Sequence, residues 1–160
     1  MWFEDSRQLF EAARDACEDI ERANAQLEQV EARATALSRP SLEPHGIGGA
    51  ASDRVGERVA AAMDATARLE KRIERDYELV DVATGILYGT DMHDGLASLM
   101  PPWVSDCLWW HYLAGTTWED VAEMMGLSAR RVQGQARAAF ELMDSLGMSK
   151  VVAGEGIAVD

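Results

Sequence analysis

Cysteine, proline and cations are the scarce residues of this chain, and each scarcity removes a class of protein. Two cysteines, Cys17 and Cys107, are too few for a disulfide framework, and both fall in stretches that read as helix. They are expected to be reduced thiols of a cytoplasmic protein. Four prolines in 160 residues leave too few breakers for general disorder, while 48% hydrophobic residues supply a core. No apolar run approaches the roughly 20 residues that span a bilayer. The opening Met1-Trp2-Phe3-Glu4-Asp5 has neither the basic region nor the cleavable apolar stretch of a secretory signal. The length suits one domain or two small ones.

The shortage of cations is the most informative. Lys and Arg number 15 against 28 Asp and Glu, a net charge of −13, which repels polyanions unless the charge is segregated. It is segregated. Residues 1–100 carry 20 acids against 11 bases and residues 101–160 carry 8 against 4. Yet Ser128 to Phe140 holds Arg130, Arg131 and Arg137 with no acid at all.

Catalytic groupings are missing too. No Ser/His/Asp or Cys/His set, glycine-rich phosphate loop or carboxylate pair emerges, so neither an enzyme nor a cofactor is expected. His45, His93 and His111 do not stand at metal-ligand spacings, and Asp91 to Asp94 reads as a loop.

What the chain has is helical periodicity. Phe3, Phe10, Ala13, Cys17, Ile20, Leu27, Val30, Ala34 and Leu37 recur at three-, four- and seven-residue steps, interrupted by Asn24. This predicts a helix over about 2–38, ended by Arg39-Pro40 and followed by a loop over 39–51 with two prolines and three glycines. A second helix over about 52–89 is expected, capped by Ser52 or Asp53. Its inward positions Val55, Val59, Ala62, Thr66, Leu69, Ile73, Asp76, Val80, Ala83 and Leu87 alternate steps of four and three, a heptad seam. Two such helices are expected to pack as an antiparallel, coiled-coil-like hairpin over residues 1–90. A short connection over about 88–100 follows, and residues 148–160 read as a flexible tail.

From Pro101 the character changes. Pro102 suits a first helical turn, and Trp103 to Ala114 is dense in large apolar groups until Gly115 stops it. Thr116-Thr117-Trp118-Glu119 reads as a capping box closed by Thr116 and Glu119, opening a helix Trp118 to Met125 with Val121, Ala122 and Met125 on one face. Its leading acids Glu119 and Asp120 complement the helix dipole. Gly126 supplies a left-handed turn, Leu127 plugs the joint and Ser128 caps a last helix from Ala129 to about Leu146. That helix turns Val132, Ala136, Ala139, Phe140 and Met143 inward. Trp103, Trp109, Trp110 and Trp118 read chiefly as core. Residues 101–147 are thus expected to form a three-helix helix-turn-helix domain. Arg130, Arg131, Gln133, Gly134, Gln135 and Arg137, with Ser128, are left on the outward leading face of its last helix, where a major-groove reader presents them. Arg suits guanine edges or phosphates, Gln suits adenine, and Gly134 leaves room for the sugar-phosphate chain.

The stretch TTWEDVAEMMGLSARRVQGQARAAFELM resembles the region-4 helix-turn-helix of sigma factors, whose pattern runs W/Y-x-E/D-I/V-A-x-x-x-G-x-S-x-x-x-V before an Ala-rich helix. The longer arrangement is similar to phage-encoded sigma-like late-gene regulators of the ArpU/RinA type. Their D-x-V-G helix start appears as Asp53-Arg54-Val55-Gly56. Their L-x-x-R-Y-L-x-G-x-S/T-W entry appears as Leu108 to Trp118, with His111 where the family has arginine. The resemblance implies a sequence-specific DNA-binding transcriptional regulator of phage or prophage origin, cytoplasmic and nucleoid-associated. The implied partners are double-stranded DNA, RNA polymerase and, through the hairpin, a second copy in a homodimer, with no membrane. Two other readings fit the same helices: an interaction module that binds polymerase or another regulator without reading DNA, and a small terminase-like packaging subunit.

Overall fold

The computed structural model describes residues 3–38 and 49–155, and among them there is no strand. The fold is all-α, a long helical hairpin followed by a helix-turn-helix domain, as the patterning predicts. Helix α1 spans Ser6–Ser38 and α2 spans Gly49–Tyr88. Asp5 starts α1, its carboxylate accepting from the Gln8 amide at 2.8 Å. Most of the expected loop, 39–48, lies outside the described residues. Helix α2 begins ahead of Ser52 and Asp53, so neither caps it, and the strong helix formers Ala50 and Ala51 carry it back to Gly49.

The chain divides into two compact units, and the division does not fall at the expected boundary near residue 90. Unit 1 joins the residues up to Cys17 with those from Asp76 onward, and unit 2 is Glu18–Arg75. In unit 2 the two helices run antiparallel, with Arg72 pairing with both oxygens of Asp19. Arg22 approaches the same carboxylate at 3.7 Å. A pair of helices alone covers only one seam. Ile20 and Ala23 are the buried side chains described there, while Leu27, Val30, Val59, Ala62, Leu69 and Ile73 are half-buried. Val55, placed on the seam by its spacing, is 38% exposed.

Unit 1 holds the main core. Leu9, Phe10, Ala13 and Ala16 of α1 and Leu79, Ala83, Ile86 and Leu87 of α2 join Leu96, Val104, Leu108, Tyr112, Ala136, Ala139, Phe140, Met143 and Val151 in one apolar cluster. Fully burying an aliphatic or aromatic side chain stabilises by roughly 1.5–3 kcal/mol, so the root of the hairpin and the carboxy-terminal helices share their stabilisation. Phe10, Tyr112 and Phe140 pack edge to face, each pair of ring centres 5.7 Å apart. Ser6 is fully buried, its amide donating to Asp144 at 2.7 Å and its hydroxyl to the Phe140 carbonyl at 3.3 Å.

The short connection after α2 holds a helix of its own. Gly89 and Gly95 both have φ +73°, and the short helix α3, Leu96–Leu99, buries Leu96 completely. A Cβ on Gly95 would lie 2.7 Å from the Tyr88 amide nitrogen, so only glycine closes this loop. Helix α4, Pro102–Leu108, continues into a wider π-helical turn, Trp109–Leu113. The Tyr88 hydroxyl ties α2 to α4 by donating to Asp106 at 2.6 Å. Helices α5, Trp118–Met125, and α6, Ala129–Leu146, complete the helix-turn-helix. Residues 148–152, expected in a flexible tail, instead form α7, Met148–Val152, and Val151 is buried in the core; 156–160 lie outside the described residues.

Candidate nucleic-acid interface

The turn between α5 and α6 is built as its residues require. Gly126 takes φ 66° and ψ 30°, the left-handed region that ends α5. Leu127 packs with Cys107, Val121, Ala122 and Val132 in a second small core. The Ser128 hydroxyl accepts from the Arg131 amide at 3.2 Å and opens α6. The five residues expected inward on α6, Val132, Ala136, Ala139, Phe140 and Met143, are all buried.

Their burial turns the opposite face outward. Ser128, Arg130, Arg131, Gln133, Gly134 and Arg137 are exposed, while Gln135 is half-buried. A Cβ at Gly134 would meet nothing within 4 Å, so the backbone is open to close approach there. Among the described residues, Arg130, Arg131 and Arg137 make no ion pair with any carboxylate. Their guanidinium groups stand free on a molecule of net charge −13.

The entry to α5 differs in detail from its expectation. Thr117, not Thr116, is the cap, its hydroxyl accepting from the Asp120 amide at 3.2 Å. Thr116 is engaged elsewhere by its backbone: its amide donates to the Trp110 carbonyl at 2.9 Å, and its carbonyl accepts from His111 Nδ1–H at 2.8 Å. With α5 starting at Trp118, Thr117 is the residue before the first helical position; a π-helical turn precedes it, the Ala114 amide donating to the Trp109 carbonyl at 3.1 Å. His111 also stacks on Trp118, rings 3.7 Å apart and 15° from parallel. Burial, opposed in part by the Thr116 carbonyl, holds its pKa below the ordinary histidine value. Trp103, Trp109, Trp110 and Trp118 are all half-buried against the two cores.

Two cations outside the helix-turn-helix reach the same region. Arg7 lies over the Phe140 ring at 5.4 Å and Arg14 over the Tyr112 ring at 6.0 Å. The only signal for them in the sequence is their seven-residue spacing, which repeats that of Phe3 and Phe10. Between α1 and α6 a cleft of about 250 Å³ is walled by Arg7, Gln133 and Arg137 over Tyr112, Trp118 and Phe140.

No group of three or more His, Cys, Asp or Glu able to hold a metal occurs among the described residues. No helix described is long and apolar enough to cross a membrane. Cys107 is buried, and desolvation, with Asp106 nearby, pushes its thiol up to about 11, far from nucleophilic use at neutral pH. No family model, curated protein or solved structure matches the chain.

Proposed function

We propose that the chain is a sequence-specific, DNA-binding transcriptional regulator that reads a major groove with the leading turns of α6. One observation carries the reading: three arginines on the exposed side of a capped second helix have no carboxylate partner among the described residues, on an otherwise acidic molecule. A surface helix of an acidic protein ordinarily sets acids beside its bases; an acid-free segment from Ser128 to Phe140 concentrates positive potential where phosphates and base edges would lie. Gln133 offers an amide for adenine, and the arginines offer bidentate donors for guanine or phosphate. The resemblance to sigma region 4 and to ArpU/RinA-type regulators adds the biological setting: late phage or prophage genes, in the bacterial cytoplasm at the nucleoid, with RNA polymerase as a second partner.

Selection of bound sites from random duplexes tests sequence reading, and a salt titration tests the electrostatics. Each phosphate contact contributes about 0.9 to the slope of log K on log salt. The double variant Arg131→Ala, Arg137→Ala should flatten that slope by up to about two such contacts. A wild-type chain that binds no duplex even at low salt overturns the reading.

A protein-interaction module remains the second reading. It is favoured by the half-buried heptad seam of unit 2 and the groove of about 490 Å³ beside it, lined by Gln26, Gln29, Arg33, Ala65, Arg68 and Arg72 among others. Binding to polymerase with no binding to duplex DNA would select it.

A further inference from the structure

We propose that α1 supplies part of the DNA-contacting surface: the cleft between Arg7 and Arg137 takes a phosphate of the duplex backbone, and Arg14 meets a second phosphate nearby. The inference rests on the DNA reading of α6 and extends it to residues outside the helix-turn-helix. Of the cations in unit 1, Arg7, Arg14, Arg130, Arg131 and Arg137 all lie in the first nine residues of α1 or of α6, with Lys150 the sole other Lys or Arg. The shared core docks the start of α1 on the second half of α6, where Ser6 bonds Phe140 and Asp144, and the cleft beside it brings Arg7 to Gln133 and Arg137.

The cleft has the chemistry of an anion site. Arg7 and Arg137 face it with Gln133 as a further donor, and no carboxylate is among its lining residues. Neither arginine makes an ion pair among the described residues, and nor does Arg14. The Phe140 and Tyr112 rings underneath hold the Arg7 and Arg14 guanidinium groups by their faces. A guanidinium resting on a ring keeps its N–H edge for a planar acceptor, and a phosphate accepts two of those bonds. Charge complementarity and continuity with Gln133 and Arg137, which belong to the exposed face of α6, select the duplex backbone as the occupant. Three acids oppose it. Glu11, between Arg7 and Arg14 on the same side of α1, acts on Tyr112 together with both arginines. Glu119 acts on His111 together with Arg14, and the Asp144 carboxylate accepts from the Ser6 amide beside Arg7. Among the described residues none of the three pairs with either arginine.

The test uses the full chain and a labelled duplex of mixed sequence, because phosphate contacts are independent of sequence. Arg7→Gln, which keeps a stem over Phe140, should weaken binding at moderate salt and lower the salt slope by about 0.9, and Arg14→Gln should do the same. Arg7→Lys should preserve the slope, and Glu11→Gln should tighten binding. Unchanged melting curves would assign the losses to contact rather than folding. If the wild type binds steeply and Arg131→Ala weakens it while Arg7→Gln and Arg14→Gln leave the slope unchanged, this inference falls and the α6 reading stands. If the wild type binds no duplex, both fall together.

Discussion

Adjacent threonines with the same side chain do different work before α5. Thr117 gives its hydroxyl to the Asp120 amide, whereas Thr116 contributes only backbone groups, to Trp110 and His111. Thr117→Ala should therefore lower the free energy of unfolding by about 1 kcal/mol, as should Ser128→Ala, while Thr116→Ala stays within about 0.5 kcal/mol. Urea unfolding of the three variants decides this, and equal losses at 116 and 117 would contradict the capping geometry. His111 carries a prediction in pH. Desolvation depresses its folded pKa below 6.5, so the fold favours the neutral ring. The associated stability is present above the unfolded value and is lost as pH falls through it toward the folded value. Between about pH 7 and about pH 5 the wild type should lose more stability than His111→Gln. Parallel declines would show that the ring does not titrate in this way.

The elements themselves were legible wherever the signal was local. The bounds of α5 and α6, the left-handed Gly126, the Ser128 cap and the five inward residues of α6 all follow from caps and a 3.6-residue period. The seam of α2 was legible in register, though Val55 at its start is exposed. The loop between α2 and α4 was not legible, because Gly95 answers to a close approach of the Tyr88 and Leu87 backbone rather than to any sequence pattern. That difference is measurable. Gly126→Ala meets open space and should cost about 1 kcal/mol for its positive φ. Gly95→Ala adds backbone overlap to the same strain and should cost clearly more. Equal thermal shifts for the two variants would remove the special standing of the Gly95 loop.

For the molecule as a unit, the consequence of the shared core is that residues near the start of the chain stabilise the helix-turn-helix. Phe10 has no exposed surface and touches both Tyr112 and Phe140. Phe10→Ala should cost about 3–5 kcal/mol. The loss should appear in the fluorescence of Trp103, Trp109, Trp110 and Trp118, which pack against the two cores far along the chain. A tryptophan-reported transition that does not move would mean that the hairpin root is dispensable to the carboxy-terminal helices. The same packing explains why residues 148–152 are helical: Val151 finds an apolar site that its own short segment could not announce.

Periodicity and capping act over four to eight residues, so the amino-acid order alone was enough to set the all-α class, the two long helices, the α5–α6 turn and the outward arginines of α6. Docking acts between groups separated by most of the chain, as between Ser6 and Asp144, 138 positions apart. Only the folded arrangement could decide that Arg7 lies beside α6 and Arg14 over Tyr112, that Thr117 displaces Thr116 as the cap, and that the hairpin root and the helix-turn-helix bury one common apolar core. The reason is that a helix pattern states which face is apolar but not which other face will cover it.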